Sequence, residues 1–378
     1  MNDTTPLGIL EITDRGAGFV RRRQFSYLPE DGDLYVAPRL ISQLGLRSGD
    51  EITGQAGRSP GRGKAPPLER VDQVNGRPAS EARQRPDFGN LGAIHPNEQL
   101  TLDCNLRRFG QPDFTNRVID LLCPFGKGTR ALIVAPAKAG KTMVLQAVAE
   151  GVAKNYPHGM LLILLVDERP EEVTEMEMCG FGEVVSSSFD CPAERHVEVA
   201  ELTLERARRR VEQGEDVVLI LDSITRLARA YNTVERGTGR TLTGGLDSNA
   251  LEKPKRFLGS ARKIDAAKGG GSLTIIGTAL IDTGSKMDQV IFEEFKGTGN
   301  SELVLSRELA ERRIFPAIDL KASGTRKEEL LLPPPLLAVS QTLRGRFAPM
   351  TAIDAMQQVL TLMKRSPSNG DLVKEVNG

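Results

Sequence analysis

The chain has no tryptophan, and aromatic residues make up only 4% of its 378 residues. Because bases stack on aromatic faces, we expect few stacking sites for a nucleic acid. The chain also has no net charge, since 50 lysine and arginine residues balance 50 aspartate and glutamate residues. An overall basic surface is therefore excluded, and contact with nucleic acid must come from local patches.

Cysteine is scarce as well, and no pair of cysteines has the spacing of metal ligands. The four residues are Cys104, Cys123, Cys179 and Cys191. No secretory signal opens the chain, so we expect a reduced, cytoplasmic protein whose thiols are small packing groups. The longest apolar run, residues 160–166, has the length of a buried strand and cannot span a bilayer. We therefore expect no membrane partner.

Residues 1–80 predict a small β-barrel of the oligonucleotide-binding or cold-shock type, because short β-prone segments alternate with Gly, Pro and Asp turns. The predicted strands are residues 8–12, 18–22, 34–37, 51–54 and 68–74. The basic loop 57–67 lies between two of them. Its composition favours a solvated linker over a binding surface.

Residues 81–120 are expected to be a connector, and residues 121–365 show a different pattern. Near-continuous runs of Val, Ile and Leu alternate with helical stretches, which predicts an α/β fold with a parallel sheet covered on both faces. The predicted strands are residues 131–135, 161–166, 217–221 and 273–278, and the predicted helices are residues 141–153, 193–212, 224–231 and 249–263. The polar residues 366–378 are expected to form a frayed, disordered tail.

The sequence APAKAGKT at residues 135–142 follows a predicted strand and opens a predicted helix. It fits the Walker A spacing of a P-loop, except that alanine replaces the first glycine. Backbone N–H groups at such a helix start bind phosphates, the lysine adds a charge, and the threonine hydroxyl binds Mg²⁺. The predicted ATP-binding residues here are Ala135, Pro136, Ala137, Lys138, Ala139, Gly140, Lys141 and Thr142.

Two carboxylates end neighbouring apolar strands. Asp222 ends the run 217–221 as in a Walker B motif, at the strand end where open α/β sheets bind ligands, and is expected to hold Mg²⁺. An aspartate that only caps the next helix would look the same. Glu168 follows the run 161–166 and is the candidate base that orients the attacking water. The alternative is a surface acid paired with Arg169.

Long motifs follow the P-loop in a fixed order. They are DERPEEVTEM at 167–176, LDSITRLARAYNT at 221–233, LTGGLDSNAL at 242–251, ALIDTGSKMD at 279–288, EEFKGTGNSELVLSR at 293–307 and RRIFPAIDLKASGTRKEELL at 312–331. Together they resemble the Rho family of bacterial transcription terminators, and the resemblance extends from about residue 7 to about residue 365. It implies a RecA-like ATPase motor that forms a homohexameric ring, unwinds RNA–DNA hybrids and releases nascent RNA from the RNA polymerase elongation complex, with elongation factors as further partners.

The resemblance also implies roles for residues around the nucleotide, which would lie between neighbouring subunits. Arg326 is implied to be an arginine finger that reaches the ATP of the next subunit, because a guanidinium spreads over the charge of the transition state. Arg313 would assist it. Phe315 would stack on adenine with Met143 opposite, whereas ordinary core packing is the alternative for Phe315.

RNA is implied to bind the barrel first and then to thread the ring. Two loops are implied to line the central channel of the ring: the first channel loop, residues 239–247, and the second channel loop, residues 284–288. The implied RNA-binding residues are Phe19, Arg21, Asp33 and Tyr35 in the barrel, Arg240 in the first channel loop, and Gly284, Ser285 and Lys286 in the second. Basic tips flanked by glycine can follow a phosphate backbone without reading its sequence. The alternative for both loops is an ordinary surface turn.

The chain departs from the family pattern at its barrel. We expect the barrel to lack the helical subdomain that usually precedes it in the family, and two positions that carry aromatic residues in the family are Ala17 and Ala65. The lost stacking should weaken primary RNA binding, by about 1–3 kcal/mol per base. The basic loop 58–64 can compensate electrostatically.

Two other classes of protein remain open. One is another RecA-fold machine, such as a rotary ATPase subunit or a DNA recombinase, and the motifs at 284–288 and 323–331 argue against it. The other is a non-motor RNA-binding protein with a vestigial nucleotide site. The presence of Lys141, Thr142, Glu168, Asp222 and Arg326 argues against that class.

Overall fold

The structure, a computed structural model, describes residues 7–58, 61, 64–235, 245–247 and 250–377. The N-terminal domain is an antiparallel sheet with the strand order β3-β2-β1-β4-β5-β6. Its elements are β1 (Gly8–Ile12), β2 (Gly18–Arg21), β3 (Leu34–Val36), α1 (Pro38–Leu44), β4 (Glu51–Ala56), β5 (Leu68–Val74) and β6 (Arg77–Pro78).

The sheet of the N-terminal domain closes on itself. A bridge between Tyr35 and Pro67 joins β3 to the chain just before β5, and the amide of Tyr35 donates to the carbonyl of Pro66 at 2.8 Å. Alternate residues of the strands, among them Leu10 and Ile52, point inward and are fully buried. This arrangement is the small barrel that the turn spacing predicted.

The connector does not hang free between two domains. It contains β7 (Ala93–Ile94) and a hairpin of β8 (Arg107–Arg108) and β9 (Gln111–Pro112), and its predicted end at residue 120 falls inside α2 (Thr115–Leu122). Strand β7 joins the motor sheet, where Ile94 pairs with Lys263, and Phe88 is buried in the motor core. The connector is therefore part of the motor's packing.

The motor domain is built on a sheet with the order β12-β11-β13-β15-β10-β16-β17, in which every pair is parallel except β16 with β17. Strand β14 pairs antiparallel with the amino end of β15. The strands are β10 (Arg130–Pro136), β11 (Met160–Glu168), β12 (Glu183–Ser188), β13 (Asp216–Asp222), β14 (Arg262–Ile264), β15 (Ser272–Ile281), β16 (Ser301–Val304) and β17 (Gly324–Thr325).

Helices cover both faces of this sheet, since its apolar runs have side chains on each face to bury. They are α3 (Lys141–Asn155), α4 (Pro170–Cys179), α5 (Ala193–Val211), α6 (Ile224–Val234), α7 (Glu252–Gly259), α8 (Lys286–Lys296), α9 (Arg307–Glu311), α10 (Pro334–Phe347), α11 (Ala352–Arg365) and α12 (Asn369–Asn377). The α/β fold class is therefore as predicted. Among the described residues, no helix combines the length and the apolar character needed to cross a bilayer.

Charged side chains hold the barrel against the motor. The Tyr27 hydroxyl of the barrel and the Arg206 guanidinium of α5 both donate to the buried carboxylate of Glu183 at the start of β12. Arg206 also pairs with Glu51 of β4 at 3.3 Å. Because these groups are mostly buried, each depends on its partners for solvation, and breaking the set would leave an uncompensated charge.

Two predictions about secondary structure are wrong. A helix is expected at 249–263, but the described helix runs only from Glu252 to Gly259. The chain then forms strand β14. The tail expected to be frayed from residue 366 instead contains helix α12. Ser368 accepts a hydrogen bond from the amide of Asp371 at 3.2 Å, and Leu372 is fully buried against the motor core.

We expect Leu372→Ala to lower the free energy of unfolding by about 2–4 kcal/mol, because it leaves a cavity in the core. Urea unfolding followed by circular dichroism would measure the change. Lys374→Ala, on the exposed side of the same helix, should stay within about 0.5 kcal/mol of the parent. Equal midpoints for both variants would mean that α12 does not dock.

Candidate functional site

The P-loop joins the end of β10 to the start of α3 at the carboxyl edge of the parallel strands. Lys138 and Gly140 have φ angles of +64° and +89°, so the chain turns sharply before the helix begins at Lys141. Glycine suits the second position because it has no Cβ to strain in the left-handed region. The first amides of α3 have no partners within the helix, and its dipole favours an anion.

Lys141 lies between the two acids predicted for the site. Its Nζ donates to Oδ1 of Asp222 at 2.7 Å and to Oε1 of Glu168 at 3.0 Å. The acids end adjacent strands, since Leu165 of β11 pairs with Asp222 of β13. The sheet register therefore brings together three predicted residues that are far apart in the sequence.

Asp222 is held by a residue that the sequence analysis missed. The Thr278 hydroxyl donates to Oδ1 of Asp222 at 2.6 Å, from the neighbouring strand β15. Asp222 is also followed by a capped helix, but the cap is Ser223, whose hydroxyl accepts from the amide of Arg226 at 3.2 Å. The alternative in which Asp222 itself caps the helix is therefore wrong, and its carboxylate is available to the site.

Glu168 has a second cationic partner besides Lys141. Nη1 of Arg226 lies 3.2 Å from Oε2 of Glu168 and also donates to the carbonyl of Asp167. Arg169 pairs with Glu172 at 3.8 Å, so Glu168 is not the surface acid of the alternative interpretation. Arg226 was missed, although its place in the first turn of the helix after Asp222 could have suggested it.

The charges of these groups determine their protonation. Burial raises the pKa of Glu168, but the positive charges of Lys141 and Arg226 outweigh it and hold that pKa below its usual value. Burial lowers the pKa of Lys141, and the charges of Asp222 and Glu168 outweigh that effect and raise it. At neutral pH the site therefore holds an ionised carboxylate and an ammonium, as orienting a water and binding a phosphate require.

Phe315 lies beside the P-loop and remains accessible. A Cβ placed on Gly140 would lie 3.6 Å from Cε1 of Phe315, and the side chain is 37% exposed. An aromatic ring at this place favours stacking on a base over core packing. Met143 is part-buried in the first turn of α3, and Arg313 is exposed, two residues before Phe315.

Arg326 is distant from the P-loop of its own chain. It follows Thr325, which pairs with Ser301, and Ser301 pairs with Ala131 near the amino end of β10. The P-loop begins at the carboxyl end of β10, about 16 Å away at 3.3 Å per residue. The exposed Arg326 therefore cannot reach a phosphate on its own P-loop.

The acids and hydroxyl near Lys141 fit a magnesium ion bound together with a nucleotide. Mg²⁺ prefers oxygen ligands and often takes only one or two from the protein when phosphates supply others. The Asp222 carboxylate lies at the carboxyl end of β13, and Thr142 follows Lys141 in α3. In the part of the chain that the structure describes, no group of three or more His, Cys, Asp or Glu side chains could hold a metal ion without other ligands.

The barrel residues predicted to bind RNA lie together beside a cleft of 900 Å³. The rings of Phe19 and Tyr35 meet edge to face with centroids 5.9 Å apart, and Arg21 lies 5.0 Å from the Phe19 centroid. Arg21 donates to Asp33 at 2.8 Å and to Glu11 at 2.6 Å. Arg21 and Asp33 thus fix the aromatic pair more than they offer free charge.

The structure describes the loop 284–288, which is predicted to line the channel, whereas Arg240 of the other predicted loop lies outside the described residues. Gly284 has a φ angle of +78°, Ser285 caps α8, and Lys286 is exposed at the first position of that helix. Arg229 of α6 donates to both oxygens of the buried Asp288, at 2.8 and 2.5 Å. The loop is therefore anchored to the helix that follows Asp222.

Comparison with known proteins identifies the family. Residues 7–80 match the model of the Rho termination factor, RNA-binding domain, and residues 115–325 match that of the ATP synthase alpha/beta family, nucleotide-binding domain. The transcription termination factor Rho of Escherichia coli strain K12 is 52% identical over 366 residues, which are 96% of this chain and 86% of that protein. This chain belongs to the Rho family.

Other Rho proteins are equally similar. Rho of Chromobacterium violaceum is 51% identical over 363 residues, covering 96% of this chain and 85% of that protein. Rho of Gemmatimonas aurantiaca is 54% identical over 359 residues, covering 95% of this chain. The chain spans 48% of the length of that last relative.

Solved structures outside the Rho family share the fold. A prototypical ATPase from the type III secretion system of pathogenic bacteria superposes with a TM-score of 0.59 at 22% identity, covering 83% of this chain and 92% of that one. The assembled ATPase EscN from enteropathogenic E. coli gives a TM-score of 0.58 at 24% identity, covering 73% of this chain and 63% of that one. At this identity the likeness concerns the fold alone.

We expect Glu168→Gln to leave ATP binding largely intact and to slow hydrolysis by about 100- to 10,000-fold, because it removes the proton acceptor but not the phosphate cradle. Equilibrium binding and steady-state turnover would separate the two effects. Glu171→Gln, an exposed neighbour in α4, is the matched control. Turnover near that of the parent would exclude Glu168 as the base.

Proposed function

We propose that this chain is an ATP-driven RNA translocase that terminates transcription by moving along nascent RNA and releasing it from RNA polymerase. The observation that carries the proposal is the hydrogen-bonded trio of Lys141, Glu168 and Asp222 in a chain whose barrel matches the RNA-binding domain of Rho. The expected partners are the elongation complex and its elongation factors, in the bacterial cytoplasm.

Each residue around the nucleotide has a role that follows from its charge. The amides at the start of α3 and the Lys141 ammonium bind the phosphates of ATP. Glu168, ionised at neutral pH, orients the attacking water and accepts its proton. Mg²⁺, held by Asp222 and the Thr142 hydroxyl, would neutralise phosphate charge. Phe315 and Met143 receive the adenine.

The site is completed by a second copy of the chain. Arg326 lies at the opposite end of the sheet from its own P-loop, so it can act only on a nucleotide bound by a neighbour. A guanidinium supplied in this way spreads over the phosphoryl charge of the transition state. Arg313 assists it. A closed homohexameric ring would give every subunit such a neighbour.

RNA is captured by the barrel and driven by the channel loops. Phe19 and Tyr35 offer ring faces to bases, and Arg21 and Asp33 hold these rings in place. Gly284, Ser285 and Lys286 form the tip that follows the phosphate backbone, and Arg240 is the basic residue of the other loop. Since Lys286 lies in α8 and Asp288 binds Arg229, ATP-driven shifts of α6 would reach this tip.

We expect RNA to raise ATP turnover strongly and single-stranded DNA of the same sequence to raise it little. A coupled ATPase assay with matched oligonucleotides at one fixed ionic strength measures this directly, since phosphate contacts are salt-dependent. Turnover that DNA stimulates equally would favour another RecA-fold machine. Nucleotide binding without any turnover would favour a non-motor RNA-binding protein.

We expect Lys286→Ala to leave RNA capture nearly unchanged but to abolish RNA-stimulated ATPase activity and strand unwinding, because the moving tip is lost. Phe19→Ala should do the reverse: capture weakens by about 1–3 kcal/mol, and saturating RNA restores turnover. Filter binding and ATPase titrations with RNA measure both variants. If saturating RNA restores Lys286→Ala fully, Lys286 contributes only affinity.

A further inference from the structure

The segment that carries Arg326 is short and has few contacts along its backbone. Strand β17 consists of Gly324 and Thr325, and its ladder with β16 involves only Ser301 and Glu302. One further backbone bond follows, from the amide of Arg326 to the carbonyl of Asn300 at 2.9 Å. Such a short edge strand needs side-chain contacts to define its position.

Arg344 of helix α10 supplies contacts of this kind from outside the segment. Its Nη1 donates to the carbonyl of Ser323 at 3.1 Å and lies 3.4 Å from that of Leu320, and its Nη2 donates to the carbonyl of Leu122. A Cβ placed on Gly324 would lie 3.7 Å from this Nη2. The planar guanidinium thus fits closely against the backbone that leads to Arg326.

The two helices that Arg344 connects, α10 and α2, are both packed in place. Helix α10 is fixed by Val339, Leu343 and Phe347, which are spaced four residues apart and buried in the motor core. Leu122 is the last residue of α2, so its carbonyl lacks a partner within the helix and lies at the negative end of the helix dipole. Arg344 therefore ties the segment to two packed helices.

The side chain of Arg326, unlike that of Arg344, has no contacts that fix its position in the described part of the chain. Its side chain is exposed and forms no hydrogen bond or ion pair with any residue in the described part of the chain. The charge of Arg326 also acts on Arg130, whose pKa is lowered mainly by burial and further by that charge. With no partner of its own, the side chain takes its direction from its backbone.

We propose that Arg344 is a positioning residue for the arginine finger: it fixes the backbone before Arg326 and so determines where this guanidinium meets the neighbour's nucleotide. The inference rests on the proposed in-trans role of Arg326. A displacement of about 1 Å at such a group can cost a factor of about 100 in rate. Lysine cannot replace Arg344, because an ammonium lacks the planar fork that contacts several carbonyls at once.

The first test compares Arg344→Lys and Arg344→Ala with Arg346→Lys, an exposed arginine two residues further along the same helix. We expect the Arg344 variants to lower kcat about 10- to 100-fold with little change in KM for ATP, because the variant subunit's own P-loop is intact. Arg346→Lys should match the parent. If Arg344→Ala does not fold, Arg344→Lys decides; a kcat equal to that of the parent in Arg344→Lys would overturn the proposal.

The second test locates the defect in the neighbour by mixing subunits. Arg344→Lys subunits mixed with inactive Lys141→Ala subunits should regain activity. At some interfaces the intact P-loop of an Arg344→Lys subunit then meets the Arg326 of a Lys141→Ala subunit, whose Arg344 is intact. If Arg344→Lys instead damages the ATP site of its own subunit, no subunit in the mixture has a working P-loop. Mixing would then restore no activity. That outcome would overturn the positioning role.

A mixture of Arg326→Ala with Lys141→Ala subunits is the reference. If the reference regains activity and the Arg344→Lys mixture does not, only the role of Arg344 fails. If the reference itself stays inactive while subunits exchange, the in-trans finger is wrong, and the inference about Arg344 falls with it. Size-exclusion chromatography of each variant checks that the subunits assemble as the parent does.

Discussion

The motor site depends on one electrostatic constraint, the ammonium of Lys141 between two largely buried carboxylates. Glu168 and Asp222 end adjacent strands, so their charges would repel each other across a poorly solvated space without a cation. The P-loop lysine therefore keeps the pKa of Glu168 low and hydrogen-bonds both acids before any nucleotide arrives. Burial, together with the charge of Glu168, still raises the pKa of Asp222 above its usual value. A phosphate that enters would find a cation already placed beside Glu168, the proposed base, and Asp222, the proposed metal ligand, so that little reorganisation remains.

Much of this arrangement is predictable from the sequence, because parallel strands buried on both faces leave long apolar runs. Lys141 and Thr142 identify the P-loop in the sequence. Glu168 and Asp222 are predictable as site residues because each follows a long apolar run. Arg226 and Thr278 are not, since their roles arise only when helix α6 and strand β15 come to lie beside Glu168 and Asp222. A polar residue that becomes functional through sheet register leaves no local pattern.

The errors have a similar cause. The polar tail is wrongly predicted to be disordered, because a single buried leucine, Leu372, docks its helix on the motor core. One apolar residue gives no periodic signal in the sequence. The helix predicted at 249–263 is too long, because helix propensity does not show that Arg262 to Ile264 will pair as a strand with β15 and β7. In both places tertiary contacts override a local preference, and the boundaries of an element are where this happens most easily.

The buried contacts of Tyr27, Glu183 and Arg206 have a consequence for how an RNA chain would travel through the protein. They join the barrel to the motor body that carries α8, so the proposed RNA sites at Phe19 and Lys286 have a fixed separation in this structure. If RNA occupies both sites, its own flexibility must span that distance. The distance between the two sites would then set the length of the shortest transcript that reaches from one to the other.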